Sequence, residues 1–173
     1  NNLYLGGDRG LIRYDGNTFL SLEEEVGFPG HTVYSLACDR RGNLIVGYWL
    51  PQQGPCIACY DGTRFTTLFT EPQPLADDCI TALVISREDA LWFGRGTLYG
   101  KDRGKGIGCL RPGAGCTFFT STEGLVDDRV GHPDFAAPFA LRLRRPFISG
   151  VEANLGAEPV FRTRKVEVCL LYT

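Results

Sequence analysis

Histidine is nearly absent from this 173-residue chain, with His31 and His132 its only two. A Ser-His-Asp or Cys-His catalytic pair therefore has almost nothing to be built from. Neither histidine stands at ligand spacing to the Cys56-x-x-Cys59 pair, and a zinc site needs a second pair of ligands, so no metal and no cofactor are expected. Positive charge is not in excess: 18 Lys and Arg against 20 Asp and Glu leave a net charge of −2, which removes the electrostatic reason for a nucleic-acid partner. No apolar run approaches the roughly 20 residues that would cross a membrane. The opening NNLYLGGDRG has neither the basic nor the apolar region of a signal peptide. It reads like the middle of a repeat, so the natural start is expected upstream and the missing leader says nothing of compartment. Helical periodicity is also missing from residues 1–130.

What is present is repetition. Shifting the chain by 47 residues (33 to 80) aligns TVYSLACDRRGNLIVGY (32–48) with CITALVISREDALWFGR (79–95) without a gap. Val33 then meets Ile80, Leu36 meets Leu83, Val46 meets Phe93 and Gly47 meets Gly94. LYLGG (3–7) is a third copy of the last element. LIRYDGNTF (11–19) returns as IACYDGTRF (57–65), and TFFTSTEGLVDDRV (117–130) repeats RFTTLFTEPQPLADDCI (64–80). A hydrophobic content of 43% and a charged content of 22% fit one globular domain with a real core.

Each copy reads as four short strands. TVYSLACD and CITALVIS are apolar runs rich in β-branched residues, and DRRGN or SREDA supplies a turn whose Asp or Ser folds back on the backbone. LIVGY or LWFGR follows as a second strand ending at a glycine. GLIRY or CIACY is a third, stopped by an Asp-Gly hairpin signal, and NTFLSL, RFTTLF or TFFTST is a fourth. Four antiparallel strands per 40-odd residues make a β-propeller blade, so the fold class is all-β: a partial propeller of about three blades.

Seven cysteines are too many and too odd in number for a fully paired disulfide framework. PCIACYDG leads into a turn and not a helix, which argues against a thioredoxin-type site, and Cys38, Cys79 and Cys109 fall where the repeat wants small core residues.

Leu91-Trp92-Phe93-Gly94, Tyr14-Asp15-Gly16, Tyr60-Asp61-Gly62, Gly124-Leu125-Val126-Asp127-Asp128 and Asp39 to Leu44, in that recurring order, resemble the two-component regulator propeller repeat of bacterial sensor proteins. The resemblance covers residues 1 to about 130. Copy three departs from it with Arg111-Pro112-Gly113, and copy two with Gln73-Pro74-Leu75. It implies an extracytoplasmic, periplasmic region that responds to a ligand such as a glycan fragment and signals to a histidine kinase lying outside this chain.

After Val130 the pattern stops. Pro133 stands where an apolar strand residue is due and Phe139 where a turn glycine is due, and glycine falls from 19 in residues 1–130 to 3 in residues 131–173. The two expected segments are thus blades over 1–130 and a divergent tail over 131–173, either native or the product of a frameshifted or truncated gene end. Within the tail only RKVEVCLLY (164–172) reads as a strand. Three blades leave both end sheets without a neighbour, so remaining blades or self-association are the expected partners.

Binding residues collect on variable loops of a rigid scaffold. The connections between second and third strands vary most, and they should emerge on the same face as the connections between blades. Tyr48, Trp49, Gln52 and Gln53 suit a sugar, with aromatic faces for stacking and amides for hydroxyls; Arg95, Lys101, Arg103 and Lys105 suit an anionic group such as a uronate or sulfate, and Tyr99 is a further ligand-binding candidate. Packing of Trp49 on a neighbouring blade and a merely solvated basic loop are the plainer readings. The pairs Asp77-Asp78 and Asp127-Asp128 read first as turn stabilisers, and GKDRGKGIG (100–108) lacks the spacing and following helix of a phosphate loop. No catalytic residue is assigned, and the expected function is non-enzymatic ligand sensing in signal transduction. The alternatives are a propeller lyase or hydrolase acting on polysaccharide, or a protein-interaction scaffold.

Overall fold

A computed structural model describes residues 2–72, 78–97 and 104–130, together with the backbone of 161–162 and 166–170. The protein is all-β, a partial propeller of three blades. Blade two is β4 (Val33–Cys38), β5 (Leu44–Leu50), β6 (Gly54–Tyr60) and β7 (Phe65–Thr70), in that spatial order. Blade three is β8 (Asp78–Ile85), β9 (Leu91–Thr97), β10 (Gly104–Arg111) and β11 (Gly115–Phe119), again in chain order and antiparallel. The repeat extends to its irregularities: β4 bulges between Val33 and Ser35 against β5, and β8 bulges at the equivalent place, between Ile80 and Ala82.

Blade one departs from the expected four antiparallel strands. Its β1 (Asn2–Gly7), β2 (Gly10–Tyr14) and β3 (Phe19–Ser21) follow the repeat, but the inner edge of β1 is covered by β13 (Val166–Leu170), which runs parallel to it and pairs in turn with β12 (Phe161–Arg162). An uncovered β1 would present a row of unpaired backbone groups, and a β-branched segment such as VEVCL is suited to cover them. The strand expected within 164–172 is therefore β13.

The fourth strand of blade one is also shorter than NTFLSL suggests. After Ser21 the chain turns into a five-residue helix, α1 (Leu22–Val26), closed by Gly27 at φ 67° with backbone bonds from Gly27 to Glu23 and from Phe28 to Leu22. Five residues are too few to show helical periodicity, and the tertiary setting decides: Leu22 and Phe28 are both buried.

The core lies between blades, in two clusters. Tyr4, Leu11, Leu22, Phe28, Val33 and Leu36 meet Leu44, Val46, Tyr48, Cys56, Ala58 and Tyr60. On the opposite side of blade two, Ile45, Ile57 and Phe69 meet Ile80, Leu91 and Phe93. Strand β5 is thus buried on both faces, alternate residues serving alternate seams, and each fully buried large side chain contributes roughly 1.5–3 kcal/mol.

Gly47 does not end its strand, as the pattern suggested, since β5 runs on to Leu50 and β9 past Gly94 to Thr97. These glycines are notches for the next blade. A methyl group on Gly6 would strike Val33, one on Gly47 would strike the Ser35 hydroxyl and Ile80, and one on Gly94 would strike the Thr81 hydroxyl and Val130. Two buried or half-buried hydroxyls tie the same seams: Ser35 donates to the Ile80 carbonyl at 2.9 Å and Thr81 to the Val130 carbonyl at 2.6 Å.

The Tyr-Asp-Gly repeats are scaffold. Asp15 accepts from the backbone of Asn17 and Thr18, and Asp61 accepts from that of Thr63 and Arg64. Each preceding tyrosine donates to the glycine carbonyl (Tyr14 to Gly16 at 2.8 Å, Tyr60 to Gly62 at 3.0 Å) and stacks on the phenylalanine beyond the turn. At the other turns, Asp39 accepts from Arg41 and Asn43 and Ser86 from Glu88 and Ala90. The left-handed residue is Gly42 in the first and Asp89 in the second.

Candidate functional site

The connections between second and third strands and those between blades do meet on one face. His31 donates its backbone N–H to the Trp49 carbonyl at 3.1 Å, and Trp49 donates to Thr32 at 2.8 Å. Glu71 donates to the Pro55 carbonyl at 2.9 Å, and Gly106 to the Asp128 carbonyl at 2.9 Å. Backbone bonds therefore stitch the connections between blades to the strand ends that flank the connections between second and third strands.

Of the residues proposed for ligand binding, Tyr48 lies in the core at 1% exposure, edge-on to Phe28 with centroids 5.1 Å apart, and burial raises its phenol above the ordinary tyrosine range. Arg95 is likewise engaged within the fold. Its guanidinium makes a two-pronged pair with Glu71 (Nε to Oε2 3.0 Å, Nη2 to Oε1 2.8 Å), donates from Nη1 to the Lys105 carbonyl, and lies 4.0 Å from the Phe118 ring centre. Both side chains are nearly enclosed, at 11% and 3% exposure. Trp49 is half-buried, while Gln52 and Gln53 are exposed. Tyr99, Lys101 and Arg103 lie outside the described residues.

Tyr48 and Arg95 occupy the same position of successive copies and do the same work, sealing the seam to the preceding inter-blade connection, once with an aromatic pair and once with an ionic one. No motif in the sequence marks Glu71 as a partner for Arg95. The signal was there in the copy comparison: an arginine at a position that is tyrosine in the sister blade and small in blade one needs a partner nearby.

The turn Leu50-Pro51-Gln52-Gln53 is closed by the Gln53 N–H on the Leu50 carbonyl at 3.1 Å. Gln52 sits there at φ 74°, a conformation that glycine adopts without cost and glutamine does not. The exposed amides of Gln52 and Gln53, with the half-buried Trp49 indole beside them in the chain, are what this part of the face offers to a ligand.

Other groups are accounted for inside the molecule. Cys56 and Cys59, three apart on a strand, point to opposite faces: Cys56 belongs to the first core cluster and Cys59 packs against the second. They do not converge on a metal or a redox centre, and burial raises both thiols, as it raises Cys38 to about 11. Asp127 pairs with Arg129, and Asp128 accepts from the backbone and hydroxyl of Ser121. For this pair the turn-stabilising reading agrees with the contacts; Asp77 lies outside the described residues.

These turn carboxylates predict an acid-side instability. The Thr63 hydroxyl, then the backbone N–H groups of Arg64 and Thr63, hold Asp61 down to about 2, and hydrogen bonds from Arg129 hold Asp127 at about 2. Asp15 and Glu123 are lowered by the same kind of bond. An acid whose folded value lies below its unfolded value of roughly 4 stabilises above that value and loses the contribution as pH falls through the folded one. The urea midpoint is expected to hold between about pH 7 and 4.5 and to fall between about 4 and 2. Asp61→Asn, which keeps a neutral acceptor, should flatten part of that fall; an unchanged profile would remove Asp61 from the account.

No protein-family model matches the chain, and no curated protein does. Among solved structures the chain is similar to the extracellular domain of a protein designated a one-component system from B. thetaiotaomicron, at 12% identity and a TM-score of 0.43, over 75% of this chain and 24% of that one.

Proposed function

We propose that the protein is a non-catalytic ligand-recognition part of a sensor propeller, reading a glycan-type ligand on the loop face. The observation that carries this reading is Gln52. A glutamine held at φ 74° in an exposed turn costs stability, and such costs gather at sites of function. Its neighbours fit the role, Trp49 for stacking on a sugar ring and Gln53 for its hydroxyls, with the basic segment around Lys101 and Arg103 as the arm for a uronate or sulfate. By the resemblance of its repeats, the module works outside the cytoplasmic membrane and reports to a histidine kinase carried elsewhere.

The test is calorimetric titration of the purified protein with neutral, uronate and sulfated oligosaccharides, each also checked for cleavage. Trp49→Ala and Gln53→Ala should abolish binding, the exposed Gln53 at unchanged urea midpoint and the half-buried Trp49 with some loss of stability. Gln52→Gly should bind more weakly while gaining about 1 kcal/mol of stability from relief of the left-handed glutamine. Absence of binding across the panel would favour a protein-interaction scaffold, and cleavage would favour a polysaccharide lyase or hydrolase.

A further inference from the structure

The two outer faces of the three-blade stack are copies of faces that already pack against one another inside it. Tyr60 and Phe65 stack at 4.6 Å and are covered by blade one, with Tyr4 edge-on to Tyr60 at 6.3 Å and Phe28 4.9 Å from Phe65. Their counterparts Tyr14 and Phe19 stack in the same way at 4.5 Å, but Phe19 is 65% exposed. At the other end, Trp92 takes the position of Tyr4 and Ile45, which are both buried against the next blade. Trp92 is only half-buried, backed by Phe119 at 5.7 Å, and Val84 on the same face is 43% exposed. The Gly94 notch of that face is already filled by Val130, as Val33 fills Gly6 and Ile80 fills Gly47.

We propose that the outer face of blade three, as the described residues present it, docks the outer face of blade one of a second copy of this chain, head to tail, with Trp92 meeting the partner copy's Tyr14 as Tyr4 meets Tyr60. One chain carries both halves of the joint, and the joint is made twice within it, which is why a second copy is the occupant. A head-to-tail contact either closes or runs on into a filament. Two copies bring twice three blades, and six lies within the four to eight at which propellers close. The proposal rests on the fold alone and stands apart from the ligand reading.

Sedimentation equilibrium of the whole chain should give a dimer, twice 19.1 kDa. Phe19→Arg and Val84→Arg each spoil one face, so each variant alone should be monomeric. Mixed in equal amounts they should form a heterodimer through the one intact joint. An isologous contact would instead leave one of the variants dimeric and give no rescue on mixing, which overturns the proposal, as does a monomeric wild type at tens of micromolar. Filaments of the wild type would overturn the closed ring. Circular dichroism checks the fold, and Phe19→Ser and Val84→Lys replace either variant that loses its strand signature.

Discussion

Glu71→Ala is expected to destabilise the protein by about 3–5 kcal/mol, the cost of leaving a nearly enclosed cation without its counter-charge. For a domain whose total stability is on the order of 5–15 kcal/mol, that is about a fifth or more of the whole. The reason is geometric. Arg95 rises from β9 into the seam beneath the loop face, where Phe118 covers one side of the guanidinium and Glu71 takes two of its N–H groups. Removing the carboxylate leaves those donors facing protein, with only the Lys105 carbonyl retained. Replacing both partners by apolar residues is a different experiment. Glu71→Leu with Arg95→Met keeps the packing on Phe118 and deletes both charges, so the pair of substitutions should recover most of the loss. Chemical denaturation of the single and double variants closes the cycle. A cost below about 1 kcal/mol for Glu71→Ala would mean that water reaches the pair and that it behaves as a surface ion pair.

Much of the blade was legible because the repeat repeats its turns. Asp39 and Ser86, in the same place of two copies, predicted the same turn, and both fold back on backbone N–H groups. The apolar runs TVYSLACD and CITALVIS announced strands, and β4 and β8 lie where those runs predict them. What stayed hidden was anything that one copy does alone. The helix α1 is a single turn held by Leu22 and Phe28 in the core, and no local pattern distinguishes LEEEV from the end of a strand. The parallel seat of β13 on β1 depends on an edge that only the fold reveals. At the loop face, residue types that recognise ligands also seal seams: Tyr48 and Arg95 had the chemistry of a binding site, and their burial shows them packing against Phe28 and Glu71. Gln52 and Gln53 were legible as candidates, but the left-handed backbone of Gln52 was not, since Pro51-Gln52 lacks the glycine that would mark the turn.

Gly47→Ala is expected to cost about 2–4 kcal/mol, although it adds one methyl group to a strand that alanine should favour over glycine. The added carbon would lie 2.9 Å from Ile80 Cγ2 and 3.0 Å from Ile80 Cβ, and it would collide with the Ser35 hydroxyl. Ile80 is held by its own strand and has nowhere to retreat. The serine could turn away only by giving up the bond from its buried hydroxyl to the Ile80 carbonyl, at a cost of about 1–3 kcal/mol if the hydroxyl finds no other acceptor. Gly7 provides the control. It lies next to the Gly6 notch and at the end of β1, a methyl group there meets nothing within 4 Å, and its backbone is not left-handed, so Gly7→Ala should be neutral or slightly stabilising. Comparison of the two midpoints in urea separates a packing requirement from a conformational one. If Gly47→Ala proved as harmless as Gly7→Ala, blades would tolerate spreading at this seam, and the close approach of successive inner strands could not be the reason that glycine stands at 6, 47 and 94.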